Sequence, residues 1–177
     1  MTDDMIEEEM QIANEQDGKA EKVLSSKTFE LPLGDLKTPE AITVERGVPV
    51  KEVIGIMQEN RIGSVLVVEE GFLVGIVTER DILMKVAGKN LNLETTLVDQ
   101  VMTEDPLALM PKDMIAYVMN NMHVGGYRHV PVVDENRHPV SIISIKDIMS
   151  FILDYFPEEV TNITGEPYRG PVSRDSA

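Results

Sequence analysis

The chain has 177 residues, of which 42% are hydrophobic, with a formal net charge of -15 at pH 7 and no cysteine. Its length suits one compact unit, and its acidic excess disfavours nucleic acid as a partner because such a surface repels phosphodiester backbones. A chain without cysteine has no disulfide, no thiolate metal site and no thiol nucleophile.

The first 30 residues contain nine acidic and three basic side chains. We predict that residues 1–30 form a solvated arm, as such charge runs usually do. The alternative is a short helix that docks through its apolar side chains, which are Met5 or Ile6, Met10 and Ala13. The segment is acidic where a secretory signal would be basic and then apolar, and no apolar run approaches the roughly 20 residues that span a bilayer. We therefore expect a cytoplasmic protein without membrane insertion.

Two copies of one pattern follow the arm. Val65 corresponds to Val130 and Asp81 to Asp147, which are offsets of 65 and 66 residues. In each copy, apolar residues at i, i+3, i+4 and i+7 predict a helix, and short runs rich in Val and Ile predict strands. In the first copy the predicted strand, helix, strand, strand and helix fall at 42–44, 50–57, 65–69, 74–77 and from 78 to about 88. In the second copy they fall at 107–109, 115–122, 130–134, 140–143 and from 144 to 157.

This order of elements predicts a fold of α/β (α+β) type. Neither copy can bury its apolar face alone, so we expect the two copies to pack on each other. We assign residues 31–92 to the first copy and residues 93–157 to the second. Residues 158–177 are rich in Pro and Gly and are predicted to form a tail.

The end of each copy carries a distinctive motif. The first copy has Gly75-Ile76-Val77-Thr78-Glu79-Arg80-Asp81 and the second has Ser141-Ile142-Ile143-Ser144-Ile145-Lys146-Asp147. With the leading segments at 35–39 and 99–106, and with the segment at 128–134, these motifs resemble a tandem pair of cystathionine-β-synthase-type (CBS) domains over about residues 33–156. The resemblance implies two β-α-β-β-α domains that pack about a pseudo-twofold axis. It also implies two clefts able to hold AMP, ADP, ATP or S-adenosylmethionine, a non-catalytic regulatory role and a homodimer.

Two carboxylates are the candidates for the ribose of such a ligand. Asp81 and Asp147 could each accept hydrogen bonds from both hydroxyls of a 2′,3′-diol. Thr78 and Ser144, three residues earlier at the helix starts, are candidates for hydrogen bonds to the ribose or phosphate. The same spacing is a helix capping box, so capping alone is the alternative, and both roles can coexist.

The remaining candidates would hold the base and the phosphates. The segments from Ile42 to Val44 and from Leu107 to Leu109 resemble the strand entrances that supply the adenine slot in relatives, with a simple core role as the alternative. The candidates for the phosphates are, in order of preference, Arg128, His129, Arg80 and Lys146. For the last two the alternative is a solvated helix face.

The two clefts are predicted to be unequal. Gly75 would let a ligand approach the backbone closely, whereas the second copy has Ser141 there. The resemblance implies that the basic residue before the middle strand of one copy can reach the phosphate of a nucleotide whose ribose is held by the other copy. This directs Arg128 and His129 toward Asp81, whereas their counterparts in the first copy, at 63–64, are uncharged. We therefore predict that the Asp81 cleft is the better site.

Enzymatic motifs are missing from the sequence. It has no glycine-rich dinucleotide or phosphate loop and no Gly-x-Ser-x-Gly, and its three histidines lack the spacing of a metal pair. We therefore predict no enzyme, no catalytic cofactor and no metal. The leading hypothesis is a nucleotide sensor that signals to an effector protein the sequence does not identify, and the alternative is an interaction or dimerisation module with vestigial clefts. The helix residues that motivate the predicted homodimer are Val53, Met57, Met119, Met122 and Ile148.

Overall fold

The computed structural model describes residues 24–156. Residues 1–23 of the predicted arm and the whole predicted tail lie outside the described residues. The described part begins with two short 3-10 turns, Ser26–Glu30 and Leu33–Asp35. The first turn ends beside the second copy, since the Ile115 N–H donates a hydrogen bond of 2.9 Å to the Leu31 carbonyl.

The first copy has the predicted order of elements. These are β1 (Thr43–Glu45), α1 (Val50–Asn60), β2 (Ser64–Glu69), β3 (Phe72–Thr78) and α2 (Glu79–Asp81), which continues as a π-helical segment (Ile82–Val86). Helix α1 begins directly after Pro49, whose fixed φ suits a helix start. It buries Val50, Val53 and Met57, one face of a 3.6-residue period, against the sheet.

The sheet of the first copy is completed by the second copy. Strand β4 (Thr103–Glu104) belongs to the leading segment of the second copy and pairs antiparallel with β3, in a sheet of order β1-β2-β3-β4. Strand β1 runs parallel to β2, and β2 runs antiparallel to β3. The reciprocal contact is a bridge between Glu40, directly after the leading segment of the first copy, and Ser141. The copies therefore exchange their leading segments.

The second copy lacks one predicted strand. It contains α3 (Ile115–Gly125), β5 (His129–Val133), β6 (Pro139–Ser144) and α4 (Ile145–Leu153), and β5 pairs antiparallel with β6. The strand predicted at 107–109 is reduced to one parallel bridge between Leu109 and Val132. In the first copy the Leu66 N–H donates to the Ile42 carbonyl at 3.0 Å. The counterpart of Leu66 is Pro131, which has no N–H to donate, so the strand cannot extend.

The two copies share an apolar interface. Leu66, Leu73 and Ile76 of the first copy form a buried cluster with Val133 of the second. The copies also meet at their hairpin turns, where the Leu73 N–H donates to the Arg137 carbonyl at 3.0 Å and Phe72 stacks on His138 with ring centroids 4.8 Å apart. The copies thus pack on each other as expected.

No helix within residues 24–156 has both the length and the apolar character needed to cross a membrane.

Candidate functional site

A cavity of about 250 Å³ lies between the copies, where β3 ends and α2 begins. Its apolar lining comes from Ile76, Pro106, Leu107 and Pro131. Its polar lining comes from Thr78, Glu79, Arg80, Asp81, Arg128 and His129, with Thr103 and Tyr127 beside them. Six residues predicted for the site therefore surround one cavity, three from the first copy and three from the second.

Asp81 is the most constrained carboxylate of the cavity and is 9% exposed. Its Oδ2 accepts hydrogen bonds from the Thr78 N–H at 2.9 Å and from the Thr78 hydroxyl at 2.6 Å, and the Asp81 N–H donates to that hydroxyl at 3.3 Å. Its Oδ1 pairs with Lys85 Nζ at 2.8 Å. Burial alone would raise the pKa of Asp81, but the hydrogen bonds from Lys85 and Thr78 outweigh it and lower the pKa. The carboxylate is therefore ionised at neutral pH and held in one orientation.

The Asp81 carboxylate retains capacity for a ligand. A carboxylate has about four acceptor sites, of which Thr78 and Lys85 fill three here. One site is open to a ribose hydroxyl while Lys85 stays in place, and a second opens if Lys85 moves. Lys85 Nζ also donates to the carbonyls of Val101 at 2.7 Å and Met102 at 3.3 Å. It thereby connects Asp81 to the segment that leads into the second copy.

Three basic side chains border the cavity and differ in their charge and in their hydrogen-bond partners. Arg80 donates from Nη1 to the Gly126 carbonyl at 3.1 Å. Arg128 Nη2 lies 3.8 Å from Glu79 Oε2, and both side chains are well exposed. Burial lowers the pKa of His129, and Glu79 opposes that shift only in part. At neutral pH the cavity therefore has two cationic guanidinium groups and a neutral imidazole that can donate one hydrogen bond.

The second copy has the same helix cap at Ser144 and Asp147, but it has no lysine at the position that corresponds to Lys85. Asp147 Oδ2 accepts hydrogen bonds from the Ser144 N–H and hydroxyl, both at 2.7 Å. The sequence counterpart of Lys85 is Phe151, 66 residues on, and no lysine or arginine of residues 24–156 forms an ion pair with Asp147. Lys146 is exposed at the start of α4. A second cavity of about 300 Å³ contains Ser141 in its lining but neither Ser144 nor Asp147.

Ile42 and Val44, the strand-entrance candidates of the first copy, do not line the Asp81 cavity. Val44 is buried in the core of the first copy, so its side chain packs there and cannot touch a ligand in that cavity. Ile42 is half-buried, and its carbonyl is already bonded to the Leu66 N–H. Leu107, the counterpart of Ile42 in the second copy, does line the cavity.

Sequence reasoning gave the wrong reason for Gly75. A side chain there would meet Met102, because an added Cβ would lie 2.5 Å from the Met102 sulfur. The backbone at Gly75 therefore approaches Met102 and β4, not the cavity. The expected advantage of the first cleft does not come from this glycine.

The sequence analysis missed several lining or supporting residues, among them Tyr127, Lys85 and Glu79. Tyr127 packs over Gly125 so closely that an added Cβ would lie 2.0 Å from its ring. Two successive glycines before an aromatic residue are the sequence signal that could have identified it. Lys85 could have been identified from its i+4 spacing to Asp81 on a helix. Glu79 gives no such signal, since its partner Arg128 is distant in sequence.

Among the described residues, no group of three or more His, Asp or Glu side chains is arranged to hold a metal ion.

Comparison with known proteins matches this chain to one family by sequence and by structure. The family model described as "CBS domain" matches twice, over residues 33–88 and 98–154. The chain is 38% identical over 89 residues to CBS domain-containing protein CBSCBSPB5 of Arabidopsis thaliana, a match covering 50% of this chain and 16% of that protein. It therefore spans only about one sixth of the length of that relative.

Two solved structures have the same fold. The CBS domain pair of protein MJ0100, in complex with 5′-methylthioadenosine and S-adenosyl-L-methionine, superposes with a TM-score of 0.60 at 26% identity, covering 69% of this chain and 99% of that one. The CBS domain protein PAE2072 from Pyrobaculum aerophilum, complexed with AMP, superposes with a TM-score of 0.63 at 23% identity, covering 71% and 98%. The predicted mixed α/β fold of two CBS-type copies is confirmed, except that the first strand of the second copy is reduced to a single bridge.

Proposed function

Since this chain belongs to the CBS domain family and carries two copies of the domain, we propose that it is a non-catalytic regulatory module that binds an adenosine-containing ligand. The observation that supports this most is the composition of one cavity. Thr78 and Asp81 of the first copy and Arg128 and His129 of the second line the same space of about 250 Å³. The two solved relatives hold AMP, or 5′-methylthioadenosine and S-adenosylmethionine.

Each part of such a ligand has a partner in the cavity. The adenine would lie against the apolar lining formed by Ile76, Leu107 and Pro131. The ribose diol would donate to Asp81, whose remaining acceptor capacity suits it. A 5′ phosphate would meet the two arginines and accept a hydrogen bond from neutral His129.

Signalling follows from the position of the cavity between the copies. A ligand that contacts both copies favours the arrangement in which both sets of groups reach it, and only this differential affinity can shift a conformational equilibrium. An effector protein that distinguishes the two arrangements would then respond to the ligand. Lys85 is placed to take part, because it bonds both Asp81 and the carbonyls at 101–102.

Isothermal titration with AMP, ADP, ATP and S-adenosylmethionine tests the proposal. Losing a hydrogen bond to a charged group costs about 1.5 to 3 kcal/mol, so Asp81→Ala is expected to weaken binding roughly 10- to 100-fold. Asp147→Ala is the matched control, because it removes the same type of cap, and it should weaken binding much less. Equal losses, or a larger loss for Asp147→Ala, would contradict the assignment of the site. No binding of any of the four ligands would favour the interaction module.

A second candidate function, dimerisation, rests on exposed apolar side chains. The residues that motivated the predicted homodimer are mostly buried in this chain: Val53, Met57, Met122 and Ile148 are each less than 9% exposed. Their side chains are covered within the chain and are therefore not available to pair two chains. Leu83, Met84 and Met149 are instead 67%, 65% and 56% exposed. We propose that a homodimer forms through Leu83 and Met149, which occupy corresponding positions of the two copies, together with Met84.

A further inference from the structure

Glu79 is a cavity-lining carboxylate that lies between the backbone of the first copy and a guanidinium group of the second. It follows the capping Thr78, and its N–H donates to the Gly63 carbonyl at 3.0 Å. Its carboxylate lies over Gly63, since a Cβ added there would be 3.0 Å from Glu79 Oε2 and 3.1 Å from Cδ. Residue 63 is the counterpart of Arg128 in the repeat. In the first copy, a carboxylate therefore covers the backbone at the position where the second copy presents a guanidinium group.

The Glu79 carboxylate is directed at the group best placed for a phosphate. Arg128 Nη2, from the other copy, lies 3.8 Å from Glu79 Oε2, and both residues line the cavity. The counterpart of Glu79 in the second copy is Ile145, so this carboxylate has no equivalent there. A ligand phosphate that approaches Arg128 would therefore also approach the negative charge of Glu79. The repulsion makes binding less favourable, in proportion to the charge on the phosphate.

We propose that Glu79 limits the negative charge that this cavity accepts at the 5′ position of an adenosine ligand. The inference rests on the proposed function and deepens it. In the ligand-free protein Glu79 partly neutralises Arg128, and a phosphate has to share Arg128 with it. The cavity therefore suits adenosine derivatives whose 5′ group is uncharged, zwitterionic or a single phosphate, and disfavours a chain of phosphates.

The surrounding charges agree with this selectivity. Near the ligand's 5′ end the two guanidinium groups of Arg80 and Arg128 are opposed by Glu79, and Arg80 already donates to the Gly126 carbonyl. The Asp81 carboxylate is matched by Lys85. Arg80, Arg128 and Glu79 together thus leave about one positive charge, against a charge of about −1.5 to −2 on a phosphate monoester and a larger one on a polyphosphate.

Titration of adenosine, AMP and ATP into the wild type, Glu79→Gln and Glu59→Gln tests the proposal. Glu59 is exposed on α1 and does not line the cavity, so its substitution controls for the change in net charge. Because Glu79 and Arg128 are well exposed, Glu79→Gln is expected to tighten AMP binding by about threefold to tenfold. The gain in affinity from Glu79→Gln should be larger for ATP and less than twofold for adenosine. Glu59→Gln should change the affinity for each of the three ligands by less than twofold.

The outcomes separate this inference from the proposed function. If the wild type binds adenosine or AMP, but Glu79→Gln shifts all three ligands equally or weakens AMP, the selectivity role is wrong and the nucleoside site stands. If the wild type binds none of the three, and also fails to bind S-adenosylmethionine, at millimolar concentration, both proposals are overturned. Matching thermal melts of the three proteins would show that the comparison is made between folded proteins.

Discussion

Replacing Asp81 by Asn isolates the energetic role of the site's carboxylate in the ligand-free protein. Asn keeps the size of the side chain and can still accept the Thr78 N–H, but it loses the charge that faces Lys85. It also places an amide N–H₂ against either Lys85 Nζ or the Thr78 hydroxyl. Asp147→Asn is the matched control, because Ser144 and Asp147 make the same cap with no cation among residues 24–156 within ion-pair distance of the carboxylate.

The expected magnitudes follow from the contacts. Weakening a helix cap costs about 0.5 to 2 kcal/mol, so Asp147→Asn should lower the free energy of unfolding by about 1 kcal/mol. Asp81→Asn loses in addition a pair whose lysine is 42% exposed, which the solvent screens to a further contribution of roughly 1 kcal/mol. Urea unfolding should therefore give a loss of about 2 kcal/mol for Asp81→Asn, roughly 4 to 8 °C in melting temperature for a chain of this size.

The pH dependence gives a second test. The pKa of Asp81 is lowered in the folded protein, so the folded state favours the carboxylate. Its stabilisation is complete above the ordinary value of 3.8 and is lost as the pH falls through the lower folded value. The difference between the wild type and Asp81→Asn should therefore persist from pH 7 to about pH 5 and shrink below pH 3.8. Equal losses for the two variants, or a loss for Asp81→Asn that is unchanged at pH 3, would refute this account of the site.

Two further predictions concern binding and assembly. His129 is neutral at pH 7 because burial lowers its pKa, and a bound phosphate would raise that pKa. AMP should therefore bind more tightly to the wild type, relative to His129→Asn, at pH 5.5 than at pH 8, with adenosine as the control; a constant ratio would contradict a phosphate contact. Light scattering at micromolar concentration should give the mass of two chains, and the double variant Leu83→Ser, Met84→Ser should give the mass of one. A wild type with the mass of one chain would refute the dimer.

The periodic parts of the fold were predictable because local spacing determines them. Val50, Val53 and Met57 fall on one helix face in the sequence, and that face is buried in the structure. The prediction of a strand at 107–109 was wrong because the strand would need an N–H from Pro131, on another strand, and proline has none. Alternating apolar spacing identifies the residues of a strand, but it does not show whether the neighbouring strand can donate the backbone hydrogen bonds that the strand needs.

The candidate site was predictable where one motif places its residues and less so where two distant segments meet. Thr78 and Asp81 are three residues apart, so their hydrogen bonds follow from helix geometry. The pair between Glu79 and Arg128 depends on how the copies pack, which no local spacing encodes. Gly75 shows the same limit: its missing side chain makes room for Met102, which only the exchanged leading segment brings there.

The positions where the copies differ carry more information about the ligand than the positions where they agree. Both copies have the cap, with hydrogen bonds of almost the same length, so the cap is explained by helix formation alone. Lys85, beside Asp81, corresponds to Phe151, and Glu79 corresponds to Ile145. Under the proposed function, the charged groups that occur in only one copy, Glu79 and Lys85, serve the ligand. Asp81, which is paired with Lys85, is therefore the carboxylate to test before Asp147.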